Sequence, residues 1–104
     1  MIKARFEFTD GKAVGFCVSG HAGYGESGND IVCAGVSSAV MLTANAITEN
    51  FKIKAEVKDT GNEVSLRLLE ESEIGMKLIE ALKLHLSLLS NEFSGTITFE
   101  NMEV

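Results

Sequence analysis

The sequence predicts an α+β fold in the order ββαββαβ, a mainly antiparallel sheet with two helices on one face. Three observations carry it. Several short stretches alternate apolar and polar residues, as strands buried on one side do. Two pairs of these are divided by turn signals, Asp10-Gly11 and Asp59-Thr60-Gly61-Asn62. Each pair is followed by a longer stretch of helical character, and strands buried on one face need such helices to cover them.

Taken in order, Ile2, Ala4, Phe6 and Phe8 alternate with Lys3, Arg5, Glu7 and Thr9, giving the first strand an apolar face. After the Asp10-Gly11 turn, Val14, Phe16 and Val18 form the apolar face of a second strand, which puts Cys17 on the other face. A polar, glycine-broken loop runs from His21 to Asn29 and gives way abruptly to apolar and small residues. A helix is expected to start there, with Asn29 or Asp30 as its cap and Cys33 in its first turn. Ile31 through Ile47 is apolar or small on nearly every side, so this helix is expected to be buried and central. Gly35, Ser37 and Ser38 permit close packing against it. Ile53, Ala55 and Val57 alternate with Lys54, Glu56 and Lys58, and Val64, Leu66 and Leu68 return as a second hairpin strand. Glu71-Ser72-Glu73 opens the second helix, where Leu78, Ile79, Leu82, Leu86, Leu89 and Phe93 recur at helical spacing. Ala81, Leu84 and Leu88 fall off that stripe, which either widens the core face or serves self-association. Ile97 and Phe99, alternating with Thr96, Thr98 and Glu100, make the last strand.

At 104 residues the chain reads as one domain, 1–104, able to bury a core without disulfides or metal. The net charge of −6 argues against nucleic acid and for a basic protein partner. The first twenty residues alternate and carry charges, unlike a signal peptide, and no apolar run reads as approaching membrane-spanning length. A cytoplasmic location is the expectation, with both cysteines reduced.

The chemistry concentrates between Ser19 and Ser38, which hold one of two histidines, one of two cysteines and five of ten glycines. An ordinary cysteine, with a pKa of about 8.5, is only a few per cent thiolate at neutral pH, and the thiolate is the nucleophile. A helix N-terminus favours the anion by roughly 0.3–1 kcal/mol, too little alone, so a cationic neighbour is needed. From Ala13 to Asn50 there is no lysine or arginine, which leaves His21 to supply that charge and shuttle the proton. Plainer readings stand beside this one. Cys33 taken alone is a small buried hydrophobe, and His21 taken alone a solvated loop histidine. The glycines at 20, 23, 25 and 28 resemble a phosphate cradle, but they match no nucleotide-binding fingerprint. Cys17, His21, Cys33 and His85 are metal-ligand types without a recognised spacing, so neither metal nor cofactor is expected. Cys17 reads as structural, linked to Cys33 only under oxidation, and His85 as the edge of the helix core. Asp30 either caps the helix or holds the His21 imidazole in the useful tautomer, and Ser37 either packs or lines the same face as Cys33.

The run GHAGYGESGNDIVCAGVSS, with its G-H-A, its glycine loop and its D-I-V-C-A before a small Ser-containing helix, resembles the signature of the ribosomal-processing cysteine protease family, Prp. His21 and Cys33 stand twelve residues apart, with Asp30 three before the cysteine. The resemblance implies a cysteine endopeptidase of the bacterial cytoplasm. Such an enzyme removes the short N-terminal extension of large-subunit ribosomal protein twenty-seven, a basic partner, cutting after bulky apolar residues. It implies Cys33 as nucleophile, His21 as base, Asp30 and Ser37 in supporting positions, and a homodimer. The loop carrying Gly23, Gly25 and Gly28 would be mobile and close over substrate. The competing classes are a non-catalytic ribosome-assembly partner and a thiol redox protein cycling a Cys17–Cys33 link.

Overall fold

A computed structural model of the chain describes residues 1–20 and 27–104, with side chains described for 1–20 and 31–104. The alternating N-terminal segment forms β1, Ile2–Thr9, and the turn at Asp10 and Gly11 leads into β2, Lys12–Ser19. Both turn residues have positive φ, 51° and 76°, the pairing that a two-residue hairpin matched to strand twist requires. Helix α1 follows at Ser27–Asn45 and widens into a π-helical turn, Ala46–Asn50. The second hairpin is β3, Ala55–Asp59, with β4, Glu63–Leu68. Helix α2, Glu73–Glu92, then carries the chain across the sheet to β5, Ile97–Glu103. The strands lie in the order β3-β4-β2-β1-β5, antiparallel except for β5 beside β1. This is the α+β arrangement expected.

One core joins the helices to one face of the sheet. Ile2, Ala4 and Phe6 of β1, Phe16 and Val18 of β2 and Leu66 of β4 meet Val32, Val36, Val40 and Ile47 from the first helical segment and Ile79, Leu82 and Leu86 from α2. Helix α2 begins as its sequence suggests, because the Ser72 hydroxyl accepts from Gly75 N–H at 3.0 Å and satisfies one of the orphan donors there.

Four expectations are corrected. The pairing of β1 with β2 slips between Glu7 and Phe8, so Phe8 faces Ala13 and Val14 is the extra residue. That bulge buries Ala13 in the core and leaves Val14 only half-buried. Helix α1 starts at Ser27, so Gly28 and Asn29 lie in the helix rather than in a loop. Neither Asn29 nor Asp30 can then be its cap, and Cys33, its seventh residue, stands in the second turn. The helix is also not buried all round. Val32, Val36, Val40 and Ile47 recur at helical spacing on a single stripe, while Ile31, Met41 and Leu42 are exposed. By length and composition Ile31–Asn50 is apolar enough to cross a membrane, against the sequence expectation. Its stripe belongs to the domain's core, and a core helix passes the same test.

Burial on the far face of the sheet was not foreseen. Glu7 is only 6% exposed there, although its sequence position reads as polar surface. Its Oε1 accepts from Arg67 Nη2 at 2.8 Å and Nε at 3.2 Å, and its Oε2 from Arg5 Nη2 at 3.3 Å. The arginine stems shield the carboxylate while their heads stay partly in water.

Candidate active site

The rotation of α1 places Cys33. It follows buried Val32 by about 100° around the helix, so it leaves the core stripe and reaches its edge half-buried. There it lines a cavity of about 280 Å³ together with Ser37 and Met41, which stand one and two turns further along. The opposite wall is the β3–β4 turn, from Asp59 to Val64, and the end of β2 completes it with Val18 and Gly20.

The turn that makes this wall is held from both sides. Thr60 N–H donates to Glu63 O at 3.0 Å, and Gly61 N–H to the Asp59 carboxylate at 2.9 Å. Gly20 N–H donates to Asn62 O at 3.2 Å, which ties the end of β2 to the turn. Gly20 has φ 84°, and a Cβ there would come within 2.6 Å of Met1 O, so only glycine fits. The residue before His21 is thus fixed between the N-terminus and the turn that faces the thiol.

Among the described lining residues there is no lysine or arginine. The described wall therefore offers no cation to a thiolate. The helix N-terminus offers little either, since its field falls off within the first turn and Cys33 lies beyond it. His21 lies outside the described residues, as do Gly23 and Gly25 and the closing-loop expectation that rests on them. Nothing is described of the Asp30 side chain. Its backbone falls in α1, three residues before Cys33. Ser37 is exposed and lines the cavity, so it shares the face of Cys33 rather than packing in the core.

Cys17 is placed differently. It is 5% exposed and alternates with Phe16 and Val18, so it sits on the face of the sheet away from the helices. Burial pushes its thiol above its ordinary value, and the Glu63 carboxylate that accepts its S–H adds to that. The sheet separates Cys17 from Cys33, and neither forms a disulfide. A reversible link between them would require the fold to open, which removes the geometry of the redox alternative. His85 is exposed on α2 rather than at the edge of the core, and no group of metal-ligand side chains occurs among the described residues. The sequence reading missed Met41, Asp59, Asn62 and Val64 as parts of the site. Only Met41 left a signal, its four-residue spacing from Ser37 and Cys33.

A family model described as cysteine protease Prp matches residues 1–98. The ribosomal processing cysteine protease Prp of Staphylococcus aureus is 29% identical over 91 residues, covering 85% of this chain and 86% of that protein. A crystal structure of SMU.848 from Streptococcus mutans is similar at a TM-score of 0.85 and 29% identity, over 100% of this chain and 96% of that one. The essential ribosomal processing protease Prp from S. aureus, solved with a covalently linked product peptide, has a TM-score of 0.85 and 26% identity, over 97% and 99% of the two chains.

Proposed function

The chain belongs to the Prp family of cysteine proteases, and from that premise we propose that it removes the short N-terminal extension of large-subunit ribosomal protein twenty-seven, with Cys33 as nucleophile and His21 as base. The observation that carries this reading is the position of Cys33 on the wall of a cavity that the fold keeps open beside it. His21 accepts the thiol proton, and the thiolate sulfur attacks the scissile carbonyl carbon. The C–N bond then breaks, the new N-terminal amine takes its proton from the imidazolium, and the acyl fragment remains on Cys33 as a thioester. Water, giving a proton to His21, hydrolyses the thioester and restores the thiol. Asp30 is assigned to orient the imidazole, and Ser37 to line the path of the peptide one turn beyond the thiol.

The setting proposed is the cytoplasm, where a basic ribosomal protein meets an enzyme of net charge −6. The active form proposed is a homodimer. Ile31 and Leu42 on α1 and Leu84 and Leu88 on α2 are exposed apolar side chains suited to cover one another across two copies. Sedimentation would read about 11.2 kDa for a monomer and twice that for the dimer.

The test is the intact mass of the extended ribosomal protein after incubation with the wild-type chain, Cys33→Ala and His21→Ala. The reading expects shortening by the first alone. Cleavage retained in Cys33→Ala would refute it, and ribosome association without cleavage by the wild type would favour an assembly partner.

A further inference from the structure

Cys33, Ser37 and Met41 are spaced four residues apart on α1 and line the same cavity, so they form a stripe that begins at the thiol. Eight residues of helix span about 12 Å. An extended peptide advances about 3.3 Å per residue, so the same distance covers three to four residues of substrate. The same cavity is lined by Ile2, Val18, Val40 and Val64, all apolar. The cavity, about 280 Å³, lies just below the usual ~300–1,000 Å³ of small-molecule pockets, a size for one or two side chains. Met41 is 52% exposed.

We propose that this stripe is a substrate-reading groove in which an apolar side chain three to four residues from the scissile bond seats on Met41. This rests on the protease reading above and adds to it the distance at which selectivity is exercised and the residue that exercises it. Selectivity at Met41 is then separate from the residues that flank the cut. The peptide runs extended along α1, between the helix and the β3–β4 turn, and Asp59 on that turn is left to face its backbone or a polar neighbour.

Disulfide tethering fixes the register without any need for turnover. Short glycine-serine peptides carry one cysteine, capped as a mixed disulfide with 2-mercaptoethanol, and one phenylalanine placed one to six residues away on either side. Exchange with Cys33 releases the cap, and intact mass gives the fraction tethered. Peptides with phenylalanine at three or four residues, on one side, should tether about tenfold better than the rest. Met41→Ala should abolish that excess. Ile74→Ala, on an exposed position of α2 outside the cavity, should leave it intact. Tethering independent of the phenylalanine position, or an excess indifferent to Met41→Ala, would overturn the groove. Cleavage of the extension peptide by the wild type is scored separately, so loss of the protease reading and loss of the groove are distinct results.

Discussion

Replacing Gly20 by alanine should destabilise the chain by more than its backbone angle alone accounts for. Gly20 has φ 84° and Gly61 has φ 90°, so an L side chain meets the same left-handed conformation at both. That term is about 1–2 kcal/mol. The two sites differ in their surroundings. A Cβ at Gly61 meets nothing within 4 Å, whereas one at Gly20 meets Met1 O at 2.6 Å, a backbone atom that cannot swing aside. Forcing the two apart adds an overpacking cost of about 1–3 kcal/mol. For a domain of this size each kcal/mol is worth roughly 4–8 °C in Tm. Thermal unfolding followed by far-ultraviolet circular dichroism should therefore place Gly20→Ala at least about 4 °C below Gly61→Ala. Equal midpoints would show that the close approach of Met1 to Gly20 is absent from the native state. The anchoring of the turn that faces Cys33 would then need another explanation.

Three further outcomes are expected. Burial and Glu63 raise the Cys17 thiol above its ordinary value in the folded chain, so the unfolded thiol ionises first. The stability this gives is complete below that ordinary value and is lost as pH rises through the folded one, so urea melts of the wild type should weaken above about pH 9 while Cys17→Ala declines less. Ile79→Val, in the fully buried stripe of α2, should cost about 0.5–1.5 kcal/mol, whereas the same change at exposed Ile74 should stay within about 0.5 kcal/mol by the same melts. Raising salt should lower the second-order cleavage rate of the full-length basic substrate much more than that of a short apolar peptide, because screening removes long-range steering but not apolar contact. Parallel salt slopes would remove the protein's charge from substrate choice.

The sequence made some elements plain and hid others for physical reasons. Both hairpin turns and the start of α2 are local chemistry, readable from a few adjacent residues, and they stand where expected. The exchange of Val14 for Ala13 is not local. It comes from a register slip against Glu7 and Phe8, which the alternation of β2 alone cannot reveal. The start of α1 was placed late because glycine and asparagine at 28 and 29 read as loop residues, and helix geometry overrode that preference. Glu7 was read as surface because its shielding comes from Arg67, sixty residues away in sequence. In the site, Cys33 and Ser37 were legible from their spacing on one helix. The facing wall, Asp59 to Val64, was not, because only the pairing of β4 with β2 brings it there.

The central claim is that Cys33 carries the acyl fragment, and trapping that fragment tests it most directly. The wild-type chain is mixed with an extension peptide, quenched in acid during turnover, weighed intact and mapped by proteolysis. The account predicts an added mass equal to the acyl fragment on the peptide containing Cys33, absent from Cys33→Ala and never on buried Cys17. Cleavage that persists in Cys33→Ala, or an acyl group mapped to another residue, would contradict it.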